Sequence, residues 1–124
     1  MTTATEPNNL GDLLKFEQDA LYSRDEITVA TGQTLTLGAV VGRNTASREI
    51  AALDPSANDG TEIAIGVMAE MVDATAATTP AVMIARHALV ARPALVWPSG
   101  ITAAQIVTAL SQLEQRGIVA REGA

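Results

Sequence analysis

The chain has 124 residues, the length of one domain able to bury roughly two thirds of the surface its unfolded form exposes. Its apolar share of 48% is mostly Ala, Val, Ile and Leu, with Phe16, Tyr22 and Trp97 as the aromatics, so a core of such small side chains gains from subunit association. Lack of cysteine excludes disulfides, thiolate nucleophiles and sulfur metal sites, and a net charge of −6 without clustered Lys and Arg speaks against nucleic acid as a partner.

The charge is unevenly placed. Residues 1 to 30 hold Glu6, Asp12, Glu17, Asp19, Asp25 and Glu26 against Lys15 and Arg24, and so carry −4 of the total. The first twenty residues lack the basic segment followed by an apolar one that marks a secretion signal. Arg86, Arg92 and Pro93 interrupt the most apolar stretch before it reaches the length of a membrane span. A soluble protein made in the cytoplasm, with no membrane partner, is expected.

Residues 1 to 9, MTTATEPNN, have the polar, Pro-containing composition of an unstructured start. Leu10, Leu13, Leu14, Phe16, Leu21 and Tyr22 then stand among acids. That segment reads either as a short amphipathic helix or strand folded back on the body, or as an arm that becomes ordered on a partner. Ile27 to Ala30 predicts a strand and Ala39 to Val41 another, with Gly32 and Gly38 placing turns on either side of Leu35. Arg43 to Ser47 reads as a loop and Ile50 to Leu53 as a short strand, followed by turn signals at Asp54-Pro55 and Asn58-Asp59-Gly60.

The stretch DGTEIAIGVMAEMVD, Asp59 to Asp73, has apolar residues at the odd positions Ile63, Ile65, Val67, Ala69 and Met71. A period of two marks a strand with one face on a core. Ala64 and Gly66 keep the opposite face low, which suits ordinary packing or the close approach of another backbone. Asp73 to Thr79 is a polar connection closed by Pro80, and Ala81 to Val90 is apolar on both faces up to Arg86 and His87, as a doubly covered strand is. Ala94 to Trp97 predicts one more short strand, ended by Pro98, with Trp97 as core filler or interface anchor. A helix over about 102–116 is the clearest element. Thr102 and Gln105 make a capping box, Ala103, Ile106, Leu110 and Leu113 recur at helical spacing, and Gly117 after Arg116 ends it. Ile118 and Val119 add a last short strand.

Residues that carry chemistry are sparse. His87 is the single histidine, and on an apolar strand it reads as structural rather than as a member of a triad or metal site. Glu62 and Glu70 point the same way from one strand but lie about 27 Å apart at strand rise, too far for paired acid and base work. The glycines from Gly32 to Gly42 have no P-loop spacing and no following helix, so tight turns account for them. Lys15, the only lysine, precedes the first predicted strand, whereas a lipoyl or biotinyl carrier domain modifies a lysine on a hairpin tip. No catalytic, cofactor-binding or metal-ligating set is expected. A small-molecule-binding or carrier-type β domain without catalysis is the alternative function.

Three segments in order, DGTEIAIGVMAEMVDAT, ARHALV and LVWPSG followed by a terminal helix, resemble the head decoration proteins of tailed bacteriophages, of the phage lambda capsid-stabilising type. The resemblance runs from about Ala20 to Arg121. It implies a mainly β domain of the β-clip type with one C-terminal helix (α+β), forming a homotrimer. Such trimers sit at threefold and quasi-threefold sites on the outer surface of an expanded phage head. They hold neighbouring subunits of the major capsid protein together against the pressure of packaged DNA, with no catalysis and no cofactor. The resemblance also implies a flexible capsid-binding arm, here residues 1–25 with Leu10, Leu13, Leu14, Phe16, Leu21 and Tyr22, ahead of a decoration domain at 26–124. Ile63, Ile65, Val67, Trp97 and Pro98 are the expected core or interface packing residues.

Ordering about twenty arm residues costs roughly 1 to 2 kcal/mol each. Six large side chains return ~1.5 to 3 kcal/mol apiece when fully buried. Side-chain burial alone is therefore too little, and such an arm must add main-chain hydrogen bonds to a strand edge or order only in part. Three arms on one trimer act together.

Overall fold

The computed structural model describes residues 10–122. Two one-turn helices, α1 (Leu10–Leu13) and α2 (Ala20–Ser23), flank strand β1 (Leu14–Glu17). Then follow β2 (Arg24–Val29), β3 (Thr34–Leu35), β4 (Val40–Arg43), β5 (Ile50–Ala52), β6 (Gly66–Met68), β7 (Val72–Asp73), β8 (Thr79–Ile84) and β9 (Ala88–Ala91). A 3-10 turn at Arg92–Ala94, helix α3 (Ala103–Glu114) and strand β10 (Ile118–Arg121) complete a chain that is mainly β with one long C-terminal helix. Strands β2, β5, β4, β6 and β8 close a barrel in that order. A separate sheet has β9 at its centre, β1 antiparallel on one side and β10 parallel on the other, and β3 pairs with β7.

Two cores result, one inside the barrel and one on its flank. Ile27, Val29, Val41, Ile50, Met68 and Met83 fill the inside. Val40, Val67 and Ile84, one residue away on β4, β6 and β8, point outward and are covered by Ala109 and Leu113 of α3, Val90 of β9, Ile118 of β10 and Leu13. Burial of each such side chain contributes roughly 1.5 to 3 kcal/mol, so this outer core is what fastens α3 and the three-stranded sheet to the barrel.

Double covering corrects the one-faced strand expected over Ile63 to Met71. Only Gly66–Met68 and Val72–Asp73 are strand there, Ala64 through Met68 are all buried, and Ile63 and Met71 are 43% and 69% exposed. The alternation slips at Gly66: Ile65 and Met68 lie in the inner core and Val67 in the outer one. Gly66 pairs with Val41, while the Ile65 N–H donates to the same Val41 carbonyl at 2.9 Å, so two residues meet one as in a bulge. The low face at Gly66 is used by its barrel neighbour, since a β-carbon there would lie 2.8 Å from the Ile84 carbonyl oxygen.

Three further boundaries differ from expectation. The strand over Ala81 to Val90 divides at Ala85–His87, where His87 adopts a left-handed φ of 50° and the Ser23 carbonyl accepts from the N–H groups of Ala85 and Arg86. Ala94 to Trp97 is not a strand, because Pro93 sits in a 3-10 turn and Val96 makes a single bridge to Ala39. Helix α3 has the predicted capping box but stops at Glu114, with Gly117 at φ 78° just beyond.

The expected arm of residues 1–25 begins in part outside the described residues, at 1–9. Within the described residues, Leu13 is fully buried, β1 pairs with β9, and residue 25, where the expected arm ends, lies inside β2. Apolar burial of Leu13 and the free edge of β9 explain why this stretch docks.

Candidate functional site

Phe16, Leu89 and Val119 stand in one row across the three-stranded sheet, Leu89 being the register partner of both others. Directly paired residues share a face. Their chain neighbours Ala88, Val90 and Ile118 are buried, so the row looks outward, and Phe16 is 63% exposed. A shallow cleft of ≈ 390 Å³ follows it, edged by Gln18, His87, Gly117 and Arg121.

Helix α2 adds Leu21, 95% exposed, and Tyr22, 46% exposed. Asp19 caps this helix by accepting from the Leu21 N–H at 2.8 Å. The Tyr22 ring meets the His87 ring edge-on at 5.2 Å, and the Arg86 guanidinium lies over it at 5.4 Å. Arg86 also donates to the Tyr22 carbonyl and, through both ends of its fork, to Asp25. Arg24 grips Glu17 in the same bidentate way, at 3.0 and 2.6 Å. Hydrogen bonding to these carboxylates raises both guanidinium pKa values above their ordinary level. Two ion pairs and a cap thus hold an apolar surface in a fixed shape.

The six expected arm residues divide by direction. Leu13 is buried, Leu10 and Leu14 pack half-buried on the outer core, and Phe16, Leu21 and Tyr22 face outward. Among the expected packing residues, Ile65 and Val67 are buried in separate cores, Trp97 lies half-buried against the outer core, Pro98 is half-buried and Ile63 is exposed. Leu89 and Val119 were not expected at this surface. Their signal is only visible once β1 is paired with β9, which places Phe16 beside them.

His87 joins pieces of backbone. Its carbonyl accepts from the Gln18 N–H at 3.1 Å and the Ser23 hydroxyl at 3.2 Å, its N–H donates to the Arg116 carbonyl, and its Nδ1 lies 3.1 Å from Gln18 Oε1. Its ring neighbours are an amide and a phenol, which gives it a structural position. Glu62 and Glu70 each accept a backbone N–H, from Gly60 and Val82, at 2.8 Å. Among the described residues no group of three or more His, Asp or Glu is placed to hold a metal ion. No described helix is long and apolar enough to cross a membrane.

No curated protein matches the chain. A family model does, that of Bacteriophage lambda head decoration protein D, over residues 3–118. The match starts well before Ala20 and takes in the segment that carries Phe16 and Leu21. The family is structural rather than enzymatic, and its place is the capsid of the virion. With nearly the whole sequence matched and a mainly β fold closed by one C-terminal helix, the chain belongs to the bacteriophage lambda head decoration protein D family and decorates a phage capsid.

Proposed function

We propose that the protein works as a homotrimer on the outside of an expanded phage head, at threefold and quasi-threefold positions, after synthesis in the host cytoplasm. There it braces neighbouring copies of the major capsid protein against the pressure of packaged DNA. The observation that carries this reading is the outward row of Phe16, Leu89 and Val119, extended by Leu21 and Tyr22. A chain with only three aromatic residues leaves two of them exposed on one rigid face. Apolar patches rimmed by polar groups mark interaction surfaces.

Phe16, Leu21 and Tyr22 make the capsid contact in this reading, while Leu10, Leu13 and Leu14 anchor their segment to the body. Holding that segment in place beforehand lowers the entropy lost on binding compared with a free arm. Strand β1 is also a sheet edge, so its main chain offers hydrogen bonds to an added strand. Three such surfaces on one trimer gain about 10² to 10⁴ over one.

Mixing the purified protein with expanded and with immature empty heads tests the reading. A trimer by mass, saturable binding to expanded heads only, and a higher melting temperature of those heads are expected. A monomer that leaves expanded heads bare overturns it.

A further inference from the structure

Asp59–Gly60 is the one Asp-Gly pair in the chain, which has no Asn-Gly pair. Such a pair is chemically self-reactive, because glycine has no side chain to shield its nitrogen. The Gly60 nitrogen can attack the Asp59 side-chain carboxyl carbon, losing its proton, while one carboxyl oxygen leaves as water and a five-membered succinimide closes. Water then opens the ring. Addition at the side-chain carbonyl restores aspartate, and addition at the main-chain carbonyl yields isoaspartate, in which the main chain runs through one extra carbon. One water leaves and one returns, so no co-reactant is needed.

The fold itself requires the reactive residue. Gly60 sits at a φ of 107°, and a β-carbon there would run into the Arg43 carbonyl oxygen and lie 2.8 Å from Thr45 Cγ2. Yet the folded loop occupies each group that the ring closure uses. The Gly60 N–H donates to Glu62 Oε1 at 2.8 Å. Asp59 Oδ1 accepts from the Thr61 hydroxyl at 2.6 Å and the Thr61 N–H at 3.0 Å, and Oδ2 accepts from Asn44 at 3.3 Å. These bonds favour the ionised carboxyl, whose oxygen cannot leave as water until it is protonated. The Asp59 carbonyl accepts from the Thr45 N–H at 2.8 Å and the Thr45 hydroxyl at 3.1 Å, which fixes the peptide plane that must turn to bring nitrogen and carbon together. Asp59 is exposed, so water reaches it and these bonds, not burial, protect it.

We propose that Asp59–Gly60 is a self-modification site, an aspartate set to become isoaspartate, which the hydrogen bonds of Asn44, Thr45, Thr61 and Glu62 hold shut in the folded chain. Reaction needs local opening of this loop, and its rate follows the open fraction. The product cannot reclose. An extra main-chain carbon displaces Gly60 from its close fit beside the Arg43 carbonyl, and the Thr61 bonds lose the side chain they were built on. A subunit in place on a capsid is not resynthesised, so the closed fraction sets how long it keeps the loop.

Ageing of the full chain at neutral pH, with isoaspartate read by mass spectrometry of its digest, tests this beside a short peptide of the sequence Ala57 to Ile63. The native chain should isomerise at least about tenfold more slowly than the peptide, since only its open fraction reacts. Thr61→Val and Glu62→Ala, each shown to be folded by thermal melt, should isomerise several-fold faster than the wild type, and Glu62→Ala, at a half-buried position, serves if Thr61→Val does not fold. Leu13→Ala weakens the outer core but leaves these bonds in place, and should age like the wild type. A native chain that ages as fast as the peptide overturns the protection. Slow ageing that neither loop variant speeds overturns the assignment to these bonds, and equal acceleration by Leu13→Ala overturns it in favour of global stability.

Discussion

Arg86 holds Asp25 at 3.0 and 2.7 Å while the same side chain reaches over the Tyr22 ring and donates to the Tyr22 carbonyl. The pair is 33% and 37% exposed, so solvent limits its direct contribution to about 1 kcal/mol. Its larger effect is on position, because it links α2 to the start of β2. Arg86→Gln is expected to lower the melting temperature only slightly but to speed proteolytic cleavage ahead of Arg24 several-fold. Limited proteolysis read by mass spectrometry checks this, and an unchanged cleavage rate removes the latch.

The inward and outward residues of the same segment should separate stability from binding. Leu13 is fully buried, so Leu13→Ala is expected to cost about 2 to 5 kcal/mol in urea unfolding. Leu21 is 95% exposed, and Leu21→Ser should change stability by less than about 0.5 kcal/mol. Pelleting with expanded heads should show the reverse order for properly folded material, with Leu21→Ser and Phe16→Ala binding more weakly than wild type. Equal head binding by these two variants places the capsid contact elsewhere.

How far the sequence revealed this arrangement depends on how local each signal is. Helix α3 was legible because its capping box, Thr102 with Gln105, lies within four residues. The turn at Asp59 and Gly60 was legible for the same reason. Ile63 to Met71 misled because alternation assumes one covered face, whereas barrel closure covers Val67 from outside and Met68 from inside. Phe16 was visible as an aromatic among acids, but its row with Leu89 and Val119 depends on pairings between residues far apart in the chain, which no local pattern encodes. Arg43 likewise looked like an ordinary loop entry until folding buried its Nε.

Asp59 Oδ1 accepts from the Thr61 hydroxyl at 2.6 Å and the Thr61 N–H at 3.0 Å, and Asn44 adds a bond to the other oxygen. These bonds favour the carboxylate, the Thr61 hydroxyl most, and hold Asp59 below the ordinary aspartate pKa; Thr75 does the same for Asp73. A group whose pKa falls on folding is protonated more readily in the unfolded chain. Its contribution is therefore complete above the unfolded value, near pH 4, and is lost as pH drops through the lower folded value. Denaturation midpoints should be flat from neutral pH to about 5 as far as these two groups are concerned, then fall with acid. Asp59→Asn should flatten part of that fall, and an identical acid limb in the variant removes Asp59 as its source.

Gly42 carries the last expectation, since it sets how closely the loop after Gly60 lies on the barrel. A β-carbon there would sit 2.6 Å from the Thr61 carbonyl oxygen, 2.7 Å from Thr61 Cα and 2.9 Å from the Ile63 carbonyl oxygen. All three are backbone atoms, so no side chain can rotate away. At Gly66 a β-carbon would likewise meet backbone, the Ile84 carbonyl oxygen at 2.8 Å, besides the side chain of the buried Met83. Gly42→Ala is therefore expected to destabilise by roughly 1 to 3 kcal/mol and to displace Thr61 from Asp59. A Gly42→Ala chain that melts like the wild type would show that the loop stands off the barrel.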